Sequence, residues 1–194
     1  MMESIFGYTH YLLRRQVLAL TGTVRIYTPQ GEMALFCRQR MFRLKEDIRV
    51  YRDESMAQEV LQIRARQVLD FSAAYDVVES ASGMKVGALR RRGWQSLARD
   101  EWQILNASDE IIGTVQEDSL GRALLRRFLL GSLLPQHYLA TLGTTLVAEY
   151  RQRFHLFGYV MEIDFSTDPA RQFDRRLGLA VAILLAIIEG KQSS

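Results

Sequence analysis

The sequence predicts a mainly β, α+β protein: a closed antiparallel barrel of about twelve strands around a central hydrophobic C-terminal helix. Three observations carry that expectation. Short runs rich in aromatic and β-branched residues come in pairs joined by turn clusters, and apolar and polar residues alternate within them, as a strand buried on one side requires. No helix-length connection separates the first four pairs, so the strands are antiparallel. Residues 177–188 are apolar on nearly every helical face, and such a helix must be surrounded by protein or lipid.

The elements follow in chain order. Residues 11–20 form a first strand. Val24-Arg-Ile-Tyr27 turns through Thr28-Pro-Gln-Gly31 into residues 33–40. Residues 48–51 turn through Arg52-Asp-Glu-Ser55 into 59–67, where Leu61, Ile63 and Ala65 share one face and Gln62, Arg64 and Arg66 the other. Residues 75–78 turn through Ser80-Ala-Ser-Gly83 into 84–91, and 102–105 through Asn106-Ala-Ser-Asp109 into 111–117. Residues 138–141 turn through Leu142-Gly143 into 145–153, and 158–165 form the last strand. The leading aromatics Tyr27, Tyr51, Tyr75, Trp102 and Tyr138 mark a weak repeat of hairpins, the first three spaced by 24 residues. So many strands rarely stay flat, and closure into a barrel removes the exposed edges. Residues 119–134 interrupt the pattern. Their apolar positions recur at helical spacing among Arg122, Arg126 and Arg127, which predicts an amphipathic helix or helix–loop ending at Pro135. Asp174 is placed to cap the last helix and Gly190 to end it. The 12 residues 177–188 would span about 18 Å against a hydrocarbon core of about 30 Å, so the helix is expected in the barrel and not across a membrane.

With 194 residues, 48% apolar and 24% charged, the chain is expected to form one domain over 1–194, its core at about 8–190, and disorder, collagen and coiled coil are excluded. The formal charge of +3, from 25 basic against 22 acidic residues, is too small to point to nucleic acid, which is not expected as a partner. Glu3 and no cation occupy the first seven residues, and Arg14-Arg15 cuts the first apolar stretch. No signal-peptide core forms, and with a lone Cys37 a cytoplasmic location is expected.

Catalytic patterns are absent. There is no Gly-x-Gly-x-x-Gly, Walker or Gly-x-Ser-x-Gly motif. His10, His137 and His155 are far apart and not in metal-ligand spacing with Cys37. No catalytic residue, metal or cofactor is expected, and the chain is read as non-enzymatic. The basic clusters remain. Arg90-Arg91-Arg92 sits at a strand end. Arg38-x-Arg40, Arg64-x-Arg66 and Arg151-x-Arg153 each put two guanidinium groups on one strand face, and Arg14-Arg15 is a further pair. Planar guanidinium forks suit phosphate oxygens. The candidate lipid- or anion-binding residues are therefore Arg38, Arg40, Arg90, Arg91, Arg92, Arg122, Arg126 and Arg127. The competing reading is a set of solvated outer faces balanced by Glu and Asp.

Several stretches, in order, resemble one family. They are Cys37-Arg-Gln-Arg-Met-Phe-Arg-Leu-Lys-Glu-Asp47 followed by Ile48-Arg-Val-Tyr51, the hairpins at Ala81-Ser-Gly-Met-Lys-Val-Gly87 and Ser108-Asp-Glu-Ile-Ile-Gly113, and the ending. The ending runs Phe157-Gly-Tyr-Val-Met-Glu-Ile163, then Asp168-Pro169, then Asp174-Arg-Arg176 and the apolar helix. Over about residues 8–190 the chain is similar to the tubby C-terminal-like superfamily, in its scramblase and LURP-one-related branch. The resemblance implies a twelve-stranded barrel enclosing a hydrophobic C-terminal helix. For function it implies phosphoinositide headgroup binding, as in tubby domains, or calcium-dependent action at membranes, as in scramblases. LURP-one-related members are mostly without a known activity. The chain lacks the scramblases' cysteine cluster and Pro-rich N-terminal extension. Asp164, Asp168 and Asp174 are too sparse for a calcium loop, which counts against scrambling. The expected function is a phospholipid-headgroup or membrane-surface module, peripheral at the inner membrane surface. A protein-interaction or scaffold domain is the alternative, and a ligand carrier or enzyme using a cleft at the barrel end is a third.

Overall fold

The computed structural model describes residues 5–16, 21–40, 47–66, 74–91, 101–118, 135–153, 155 and 158–188. Among these residues twelve strands run in chain order: β1 (His10–Gln16), β2 (Thr21–Tyr27), β3 (Met33–Arg40), β4 (Ile48–Tyr51), β5 (Glu59–Ala65), β6 (Ala74–Glu79), β7 (Lys85–Arg91), β8 (Glu101–Leu105), β9 (Ile111–Glu117), β10 (His137–Leu142), β11 (Thr145–Arg153) and β12 (Gly158–Asp164). Each pairs antiparallel with its neighbours in sequence, and β1 pairs with both β2 and β12, so the ring closes. The chain belongs to the expected fold class. The period of two is visible in burial: Leu13, Val24, Ile26, Leu61, Ile63, Ile104 and Met161 are sealed inside, while the residues between them face out.

The hairpin repeat is structural. Each of the β2–β3, β4–β5, β6–β7, β8–β9 and β10–β11 pairs shifts register close to its tip. Such bulges add the local twist that bends a sheet into a barrel. Each of those tips also holds one residue in the left-handed region: Gly31, Met56, Gly83, Asp109 and Gly143. The aromatics that first mark the repeat are not equivalent, however. Tyr27 and Tyr51 sit beside the bulges at hairpin tips, whereas Tyr75, Trp102 and Tyr138 lie inside at the opposite ends of their strands. The even spacing of 24 therefore joins unlike positions.

Helix α1 (Arg175–Ile188) fills the barrel. It touches β2 and β12, which flank β1, and also β6 and β7 on the far arc of the ring, and residues 177–188 are all buried. Asp174 caps it as expected: its carboxylate accepts from the Arg176 N–H at 2.9 Å and its carbonyl from the Gly178 N–H at 2.9 Å. Ahead of the cap, the buried Asp168 carboxylate accepts from the N–H groups of Gln172 and Phe173 and from Arg175 at 2.8 Å, and the Arg175 guanidinium lies 4.5 Å from the Phe165 ring centre. Tyr150 donates to the Gly178 carbonyl at 3.0 Å. At the other end Arg15 donates to the Ala186 carbonyl at 2.5 Å. The expected terminator Gly190 and the expected helix at 119–134 lie outside the described residues. Among the described residues no helix is long and apolar enough to cross a membrane.

Candidate anion-binding site

The outer face across β11, β12, β1 and β2 gathers arginines that sequence separates. Alternation turns Arg14 outward between the inward Leu13 and Arg15, and Arg25 outward between Val24 and Ile26. Register then sets Arg25 opposite Arg14, Arg14 opposite Val160, and Val160 opposite Arg153. One row across the four strands thus reads Arg25, Arg14, Val160, Arg153. The next row reads Tyr27, Leu12, Glu162, Arg151. Two joined clefts lie over these rows. One of about 640 Å³ is lined by Leu12, Arg14, Tyr27, Arg151, Arg153 and Asp164 among others. The second, of about 740 Å³, shares Leu12, Arg14, Tyr27 and Arg153 and adds Arg25 and His155.

The cations differ in how they are matched. Arg153 pairs with Glu162, and Arg151 with Glu149. Arg25 donates to Glu54 at 2.6 Å and lies 5.8 Å from the Phe36 ring centre. Exposed Arg14 lies 5.8 Å from the Tyr27 ring centre, and among the described residues no carboxylate pairs with it. Like charges directly opposite on a sheet repel, so the facing Arg14 and Arg25 raise the positive potential of the cleft between them.

Of the residues expected from sequence, Arg38 is exposed on the outer face of β3, next to Thr23 in register and one diagonal step from Arg25, with no carboxylate pairing with it among the described residues. Arg40 is the last residue of β3. Arg90 and Arg91 are split by the pleat. Arg90 faces out and donates to Gln103 at 2.8 Å, whereas Arg91 takes the face of Leu89, opposite the buried Trp102. Arg92, Arg122, Arg126 and Arg127 lie outside the described residues. Arg25 was missed because a lone Arg in a strand carries no local signal; only register shows it facing Arg14.

Several other titratable groups are locally satisfied. Arg66 and Lys85 share Asp76 and Asp109, which makes the Arg64-x-Arg66 strand a charge-balanced face. Half-buried His137 lies between Asp118 at 3.4 Å and Glu149 at 3.1 Å. Burial pushes the Cys37 thiol up to about 12, against the opposing pull of the Val24 backbone and Arg15, so it is no nucleophile at neutral pH. Among the described residues no group of three or more His, Cys, Asp or Glu side chains is placed to hold a metal ion.

No curated protein matches the sequence. The family model described as LURP-one-related matches residues 33–186, which takes in β3 to β12 and nearly all of α1. By that match and by its closed barrel with a buried C-terminal helix, the chain belongs to the LURP-one-related family of the tubby C-terminal-like superfamily.

Proposed function

We propose that the protein is a non-enzymatic module that binds the headgroups of anionic phospholipids at a membrane surface, through the outer face of β11, β12, β1 and β2. The observation that carries the proposal is the row Arg25, Arg14, Val160, Arg153, with Arg14 at its centre paired to no carboxylate among the described residues. A phosphate lying between facing guanidinium groups accepts from both and relieves their repulsion. Leu12, Tyr27 and Val160 supply apolar contact beside the charges. Each Arg near an anionic surface contributes about 1 kcal/mol, so the attachment is weak and reversed by salt.

Co-sedimentation with phosphatidylcholine vesicles, with and without phosphatidylserine, tests the proposal. The wild type is expected to bind only the anionic vesicles, and less as salt rises. Arg14→Gln with Arg38→Gln removes two exposed cations that no carboxylate pairs with among the described residues, and should weaken binding roughly thirtyfold at unchanged thermal stability. Replacing Arg122, Arg126 and Arg127 by Gln measures the other cluster separately. A wild type that ignores anionic vesicles at low salt overturns the membrane reading and leaves the protein-interaction domain in its place.

A further inference from the structure

The 740 Å³ cleft is lined not only by the outward Arg14, Arg25 and Arg153 but also by Arg15 and Tyr159, which belong to the inner face of the barrel. Arg15 is only 5% exposed. It sits between Val24 and Tyr159 in register. Its Nη1 donates to the Ala186 carbonyl, in the last turn of α1. Its Nε is buried and finds no hydrogen-bond partner among the described residues, and no carboxylate pairs with it there. Burial pulls its pKa below the ordinary value, with Tyr159 and Cys37 acting in the opposite sense. A buried guanidinium is ordinarily paired. The partial negative charge at the helix C-terminus answers part of the charge on Arg15 and leaves one edge of the group open.

We propose that this cleft binds a phosphate-monoester anion, and that Arg15 couples the anion to the central helix. One edge of the guanidinium caps α1 and the other takes an anion oxygen. Alternation sends the Arg14 and Arg15 side chains to opposite faces of β1, so the charge of Arg14 draws the anion into the cleft while the open edge of Arg15 donates to it. Ligand binding outside the barrel then tightens the end of the helix inside it. The inference rests on reading this face as an anion site, not on a membrane as the source of the anion.

Amide hydrogen exchange on the full chain tests the coupling, read at residues 185–188. The probes are inorganic phosphate against chloride at matched ionic strength, and phosphatidic acid vesicles against phosphatidylcholine vesicles. In the wild type, phosphate is expected to slow exchange at these amides at least tenfold. Arg15→Lys keeps the charge but not the two-edged fork, and should lose that slowing. Protection by phosphate alone assigns a soluble phosphate compound, and protection by the vesicles as well assigns a lipid headgroup; both support the coupling. Should Arg15→Lys fail to fold, Arg14→Gln decides: protection undiminished in that variant overturns the proposal. Vesicle binding with no protection by either probe also overturns it and leaves the membrane reading standing. Protection by phosphate without vesicle binding keeps the coupling and removes the membrane.

Discussion

Asp168 and Arg175, with side chains 2% and 5% exposed, hold the strand-to-helix connection in place. Burial alone would raise the Asp168 carboxyl. The N–H groups of Phe173 and Gln172 and then Arg175 outweigh it and hold the carboxyl below its ordinary value. A carboxyl depressed in the folded state stabilises above its unfolded value of about 3.9, and that contribution is lost as pH falls through the folded value. Asp168→Asn is therefore expected to cost about 3–5 kcal/mol in urea unfolding at neutral pH and to flatten the acid limb of the stability curve below about pH 4. An unchanged acid limb would show that another carboxylate sets it. Met56 carries φ 56° at its hairpin tip, whereas the other four tips place Gly or Asp in the left-handed region. Met56→Gly should raise the unfolding free energy by up to about 1 kcal/mol, the relieved strain exceeding the added chain entropy. At this scale some residues were legible and others were not. Asp174 was readable as a cap because capping is local. The roles of Arg14 and Arg15 were not, because adjacent residues in a strand face opposite ways: Arg14 meets Arg25 of β2 and Val160 of β12, and Arg15 meets Ala186 of α1, 171 positions away.

The central helix is packed to the point where small residues are required. A Cβ at Gly178 would come within 2.6 Å of the Phe165 ring, so Gly178→Ala should destabilise despite the better helix propensity of alanine. Circular dichroism melts compare the two directly, and a higher melting temperature for the variant would refute this packing. Ala182 is wholly buried, and Ala182→Asp places an unpaired carboxylate among apolar side chains at a cost of several kcal/mol. A variant that kept wild-type thermal stability would mean that the helix is not central. The elements themselves were legible, because hairpin turns and a period of two are local patterns, and an all-apolar segment too short for a bilayer has few other places to go. Bulge positions and cross-strand register were not, since both are settled by closure of the whole ring. That is why the candidate site, which is a matter of register, was seen only in part.

In the whole molecule, closure depends on β1 meeting β12, strands separated by nearly the entire chain. Long-range pairing of this kind is slow, because loop-closure entropy is lost before the contacts repay it. Refolding followed by tryptophan fluorescence, with Trp102 in the core, should therefore take milliseconds to seconds; microsecond refolding would contradict the topology. The order of synthesis sharpens the point. Helix α1 follows all twelve strands in the chain yet lies inside them. While the ribosome is still translating the strands, the apolar lining that α1 will cover has nothing to pack on, and no partial product can bury it. Such a nascent chain carries unpaired strand edges and exposed aromatic side chains until α1 emerges, so expression of a chain truncated before residue 175 is expected to give an aggregated product and not a smaller folded protein.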